Sequence, residues 1–152
     1  MSCEQALELP PPVSPQINKK ILVVAAALID QDGRVLCTQR PKGKWLEGQW
    51  EFPGGKVEEE EIPEFALMRE LREELGIETR PSCFTPLSFI SHIYEDKGVH
   101  VLMPLYACRF WDGVPQGEEG QSMKWVFPKD MPNMDFVEAD KPLFSVLRDY
   151  IS

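Results

Sequence analysis

Glu70, Glu73 and Glu74 stand at i, i+3 and i+4 in the run Arg69-Glu70-Leu71-Arg72-Glu73-Glu74-Leu75-Gly76-Ile77. A helix there presents three carboxylates on one face. Adjacent anions repel, and the repulsion destabilises the helix unless a cation sits among them. A cation suited to oxygen donors is hard; magnesium keeps several waters and is usually held by a few carboxylates together with substrate phosphates. Thiol and imidazole donors are absent from the stretch, which argues against zinc. Taken without its flanks, the same face reads first as a solvated acidic surface balanced by Arg69 and Arg72.

The elements that must position these groups are legible around them. Leu67, Leu71 and Leu75 recur at four-residue spacing and form an apolar stripe. Pro63 suits the first helical turn, where its missing N–H breaks no helical bond, and Gly76 suits the left-handed residue at the end. Upstream, Trp50-Glu51-Phe52 is a short strand leading into Pro53-Gly54-Gly55. Residues 20–30 form an apolar strand, read as covered on both faces. Asp32-Gly33 marks a hairpin turn, and residues 35–40 return as a second strand. Residues 41–48 are a charged, glycine-containing loop. Later strands fall at 83–94, 100–111 and 123–127, with a turn at 95–98 and a loop at 113–121. Residues 131–139 are irregular, and 141–151 form an amphipathic helix. Such a mixture predicts an α/β or α+β sandwich. Residues 1–18, with Leu9-Pro10-Pro11-Pro12-Val13-Ser14-Pro15, read as a flexible, extended leader. Residues 19–152 read as a single domain.

At 152 residues the chain is long enough for one domain and one hydrophobic core. The net charge of −9 speaks against a surface for duplex nucleic acid, which needs a basic patch. A small phosphorylated ligand is still accommodated, because a bound metal inverts the local charge. Cys3, Cys37, Cys83 and Cys108 are scattered, with no C-x-x-C pair. They read as reduced, mostly buried thiols and hence a cytoplasmic protein. No apolar run approaches the ~20 residues of a membrane span, and the N-terminus lacks a signal-peptide pattern. No obligate protein partner is evident.

Gly55, Glu61, Arg69, Glu70, Leu71, Glu73, Glu74, Gly76 and Ile77 together fill every fixed position of G-x5-E-x7-R-E-U-x-E-E-x-G-U, with U aliphatic. The stretch therefore resembles the Nudix box, and the likeness extends over about residues 20–152. The resemblance implies a central mixed β-sheet sandwiched between helices. It also implies hydrolysis of a nucleoside diphosphate linked to another group. By the same resemblance Glu70, Glu73 and Glu74 are catalytic and ligate Mg²⁺, with Mn²⁺ able to substitute, joined by the backbone carbonyl of Gly54 or Gly55. Glu70 is also the candidate general base. A further ligand comes from a later loop: Glu119 matches, and Glu118 competes with it. Glu61, Arg69 and Gly76 organise loop and helix.

The flanks resemble the MutT-like branch, which hydrolyses nucleoside triphosphates including oxidised dGTP. Arg40 matches an arginine near the substrate, and Glu51, Phe52, Pro53 and Gly54 match the pocket wall. Trp45 is either a stacking surface for a base or a partly buried loop residue. Lys56 is either a phosphate contact or a surface lysine. Asp140 stands where the branch reads the base edge, and where a cap on the last helix is the other reading. An ionised aspartate only accepts hydrogen bonds, so purine and pyrimidine both remain open. The expected reaction converts 8-oxo-dGTP to 8-oxo-dGMP and pyrophosphate, sanitising the nucleotide pool. The alternatives are a CTP or modified-dCTP pyrophosphohydrolase and a non-catalytic nucleotide-binding domain. The last would be expected to lose box glutamates, and none is lost.

Overall fold

The computed structural model describes residues 1–152. Strand β1 (Lys19–Leu28) turns at Asp30 and returns as β2 (Val35–Gln39). Asp30 Oδ1 accepts the N–H groups of Asp32 and Arg34 and fixes that turn, with Gly33 at φ +87°. Two short strands follow, β3 (Trp50–Glu51) and β4 (Gly54–Lys56), and then a helix that crosses over the sheet.

Two sheets form where one central sheet was expected. A mixed four-stranded sheet runs β4-β1-β6-β5, with β5 at Phe84–Tyr94 and β6 at Val99–Cys108. Here β1 pairs parallel with β6 and antiparallel with β4. A three-stranded antiparallel sheet runs β3-β2-β7, with β7 at Met123–Val126. The Ile29–Val35 bridge joins them. The β1/β4 register sets Val24 opposite Gly55 and Ala25 opposite Gly54, which fixes the loop that enters the acidic helix.

A leading helix α1 (Cys3–Leu7) occupies part of the segment read as extended. Ser2 and Gln5 form a reciprocal capping box, which offsets the fraying of so short a helix. Every residue from 1 to 20 is exposed. The segment meets the fold where Asn18 and Lys19 donate to Gly98 O (2.8 and 3.2 Å). The acidic helix is α2 (Pro63–Leu75), with Gly76 left-handed at φ 68°. The last helix, α3 (Leu143–Ile151), starts two residues later than expected, because a 3₁₀ turn (Glu138–Asp140) and Pro142 precede it.

Strand periodicity divides the core. Ala25, Ala27 and Ile29 face a cluster with Phe136, Leu143 and Leu147. Val24, Ala26 and Leu28 face the opposite way, onto Leu67, Leu71, Leu75 and Ile77. Coverage on both faces is thus confined to the second half of β1; Lys19 to Val23 alternate towards solvent. The leucine stripe of α2 is fully buried, so its acidic face is obliged to look along the sheet edge at β4. A Cβ at Gly76 would lie 2.6 Å from Glu118 Oε1 and would hold a strained dihedral. Gly76→Ala is therefore expected to cost at least about 1 kcal/mol, read as a lowered urea midpoint; an unmoved midpoint would separate the helix end from the stability of the fold.

Candidate active site

A cavity of about 680 Å³ opens between the two sheets and α2. Glu70, Glu73 and Glu74 line it from the helix, Gly54, Gly55 and Lys56 from β4, and Glu119 from the 117–121 loop. That loop docks on the end of α2. Glu118 N and Gln121 Nε2 both donate to Glu74 O, each at 3.0 Å, while Gln121 Oε1 accepts the Glu119 N–H at 2.9 Å. Glu119 is thereby turned into the cavity, and the Glu118 side chain lies against Gly76 instead.

Arg69 holds the acidic face together. Its guanidinium donates to both carboxylate oxygens of Glu61 (2.8 Å each), to Glu70 at 2.9 Å, to Glu73 at 3.4 Å and to Lys56 O at 3.1 Å. The bidentate pair pulls the Glu61 carboxyl down to about 2. Burial pushes the Glu70 carboxyl up, against the pull of Arg69. Glu74 is the most perturbed of the box acids. Burial, and after it the charges of Glu70, Glu51 and Glu119, raise it to about 9, with only the Gly54 N–H (3.3 Å) in opposition.

The donor set fits a divalent cation: carboxylates without thiol or imidazole, around two glycines. A Cβ at Gly55 would collide with the Glu70 carboxylate, and one at Gly54 with Val24 O, so glycine alone allows this approach of backbone to acid. As placed, no three acidic side chains share one ion-sized point; Glu70 and Glu73 are instead drawn onto Arg69.

The inner end of the cavity is apolar, walled by Ile90, Met103, Phe52, Val137 and Ala139. Asp140 closes it, 5% exposed. Trp50 and the 135–137 segment exchange backbone hydrogen bonds (2.8 and 2.9 Å), and Phe52 packs on Phe136. This brings Asp140 Oδ2 to the Phe52 N–H at 3.2 Å. Asp140 makes no cap on α3, whose start has no side-chain cap bond. Burial above all raises its carboxyl to about 7. Arg40 pairs with Glu51 at 3.2 Å and reaches Trp45 O at 3.3 Å. Trp45 lies across the mouth, edge-on to Tyr94 at 4.7 Å, with the Lys97 ammonium 3.9 Å from its ring centre. Lys56 is exposed on the wall. Pro53 is buried outside the lining, and its carbonyl accepts the Ala26 N–H at 2.9 Å. Tyr94, Lys97 and Gln121 were not singled out by the sequence; only the turn at 95–98 pointed towards the first two.

The chain belongs to the Nudix family: the NUDIX domain model matches residues 24–146. It is a Nudix hydrolase with the Nudix fold. The CTP pyrophosphohydrolase of Escherichia coli K12 is 38% identical over 124 residues, spanning 82% of this chain and 89% of that protein. The 8-oxo-dGTP diphosphatase of the same organism is 30% identical over 130 residues, spanning 86% and 98%. A MutT Nudix hydrolase structure from Burkholderia pseudomallei superposes with a TM-score of 0.73 at 31% identity, covering 83% of this chain and 96% of that one.

A folded state that holds the Glu74 proton, against an unfolded chain that releases it near 4.3, loses stability as pH rises towards about 9. Asp140 adds a loss of the same sign up to about 7. In chelator, Tm is expected to fall from pH 5 to 9, and Glu74→Gln to flatten the upper part of that fall. An unchanged slope above pH 7 in the variant would remove Glu74 as its source.

Proposed function

We propose that the protein is a Mg²⁺-dependent nucleoside triphosphate diphosphatase that converts 8-oxo-dGTP to 8-oxo-dGMP and pyrophosphate, and so sanitises the nucleotide pool in the cytoplasm. The observation that carries this reading is one cavity with the box carboxylates at one end and a buried, hydrogen-bonded Asp140 in an apolar wall at the other. That wall suits a base, and the acidic end suits phosphates carried with a metal. Residues 19–152 act as the catalytic unit, with the leading segment outside it.

Glu70, Glu73, Glu74 and Glu119, with a Gly54 or Gly55 carbonyl, would hold magnesium, which would supply charge neutralisation on the phosphates and a lowered pKa for water. The side chains do the rest. Arg69 fixes the geometry of the acidic face, and Glu70, raised by burial, takes the proton from the attacking water as general base. Lys56 and Arg40 steady the phosphates. Trp45 covers the nucleoside and limits water. Water attacks the β-phosphorus, its oxygen leaves with pyrophosphate, and the bridging oxygen stays with the monophosphate.

Asp140 reads the base edge. Ionised, it accepts from purine N1–H and N2–H; protonated, its free oxygen donates. An oxidised purine carries an N7–H donor in place of an acceptor, so a backbone carbonyl facing N7 gains a bond with the damaged base, and an unpaired buried group penalises the normal one. A second reading, hydrolysis of CTP or a modified dCTP, is favoured by the 38% identity to a CTP pyrophosphohydrolase and by a carboxylate able to accept from the cytosine amino group.

With Mg²⁺ at low substrate, kcat/KM for 8-oxo-dGTP is expected to exceed that for dGTP and CTP by orders of magnitude; a ranking led by CTP would move the protein to the second reading. Asp140→Asn is expected to change this ranking more than it changes the fold, and an unchanged ranking would remove Asp140 from base recognition. Glu74→Gln is expected to lose most activity, because it deletes a ligand charge while keeping the volume. In ¹⁸O-water, label is expected in pyrophosphate, and label confined to the monophosphate would exclude attack at the β-phosphorus.

A further inference from the structure

Strand β5 is a free edge of the four-stranded sheet. It pairs with β6 on one side, and no backbone hydrogen bond joins its other side to the rest of the chain. Such an edge turns alternate N–H and C=O groups outward as a template for another strand, and proteins usually blunt it with charge, proline or a bulge. The other edge strands all carry a charge: Glu51 on β3, Lys56 on β4 and Lys124 on β7. Along Phe84–Tyr94 there is no Asp, Glu, Lys or Arg. Pro86 and the irregularity between Pro86 and Ser88 blunt only its first half. From Ser88 to Tyr94 the ladder with β6 is regular. Phe89, in this stretch, is 65% exposed, and Leu102, diagonal to it on β6, is 40% exposed.

We propose that β5 is a self-association edge, which pairs antiparallel with β5 of a second copy of this chain and joins the two sheets across a two-fold axis. Charge selects this occupant. A chain of net charge −9 repels its own copy over most of its surface, so two copies can meet only where neither brings a like charge. An isologous contact sets one patch against itself, and β5 is the edge strand on which that costs no repulsion. A charged peptide would gain nothing from it. The register follows from geometry. An axis perpendicular to the sheet keeps each face on its own side, so residues that oppose each other share parity. The regular stretch between the irregularity and the hairpin turn is centred on Ser91. Pairing about that centre sets Phe89 against the partner subunit's Ile93, twice over, on either side of a Ser91–Ser91 pair. Aromatic with β-branched residues, and serine with serine, are favourable cross-strand pairs. Ile90 and Tyr94 belong to the other face and line the cavity, so the pair leaves both cavities open.

Sedimentation equilibrium of the full chain, from micromolar to hundreds of micromolar, tests this together with hydrogen exchange over the same range. The proteins compared are the wild type, Phe89→Lys, and Phe110→Lys, which makes the same change at a side chain 77% exposed beyond the end of β6. The wild type is expected to rise to twice the monomer mass with concentration, and its amides at 88–94 to exchange more slowly as it does. Phe89→Lys is expected to weaken association roughly tenfold or more, while Phe110→Lys pairs as the wild type does. A wild type that stays monomeric throughout, or association that survives Phe89→Lys unchanged, would overturn the assignment. So would β5 amides whose exchange ignores concentration in a wild type that pairs, whatever Phe89→Lys does; that readout needs no variant to fold. None of these measurements involves a nucleotide, so their outcome is separate from that of the diphosphatase reading.

Discussion

Like charge gathered in a half-buried place is the constraint on which the rest of this structure turns. Burial first, and after it the charges of Glu70, Glu51 and Glu119, lift the Glu74 carboxyl to about 9. The helix cannot relieve the strain by rolling outward, because Leu67, Leu71 and Leu75 are locked under β1. Nor can the 117–121 loop swing aside without releasing two bonds to Glu74 O. Against this the protein sets two guanidinium groups: Arg69 gathers Glu61, Glu70 and Glu73 from one side, and Arg40 pairs with Glu51. The remaining imbalance is what a multivalent cation would relieve.

Polarity then changes along the cavity in two steps. The inner wall is apolar apart from one buried acid, and the end against α2 is anionic. Each step is carried by different elements. The apolar end hangs on β3 and the 3₁₀ turn before α3, and the anionic end on α2, β4 and the 117–121 loop. Arg40 and Glu51 form the hinge of charge between them, and Trp45 is pinned over the opening by Tyr94 and Lys97.

The parts legible in the sequence were those built from local physics. The span of α2 followed from its stripe, from Pro63 and from Gly76, and the acidic face followed from spacing. Glu118 and Glu119 could not be told apart, because the carbonyl that orients them belongs to Glu74, more than forty residues earlier. Tyr94 and Lys97 carry no local mark; they matter only because the β5–β6 hairpin returns beside the 41–48 loop. The division into two sheets was hidden for a like reason, since β2 leaves β1 after the Asp30 turn to pair with β3 and β7. The helix in the leading segment was a different kind of miss. Ser2-Cys3-Glu4-Gln5 carries the capping-box signature, overshadowed by the prolines that follow it.

The separation of Asp140 from the acidic helix has a consequence for descent. Its carboxylate accepts the Phe52 N–H and makes no hydrogen bond to the acids of α2. On the proposed reading of Asp140, an exchange of aspartate for asparagine at this point would alter what is recognised and leave the acids of α2 in place. On that same reading, duplicated copies of such a gene would change their nucleotide through one codon, without passing through an inactive intermediate.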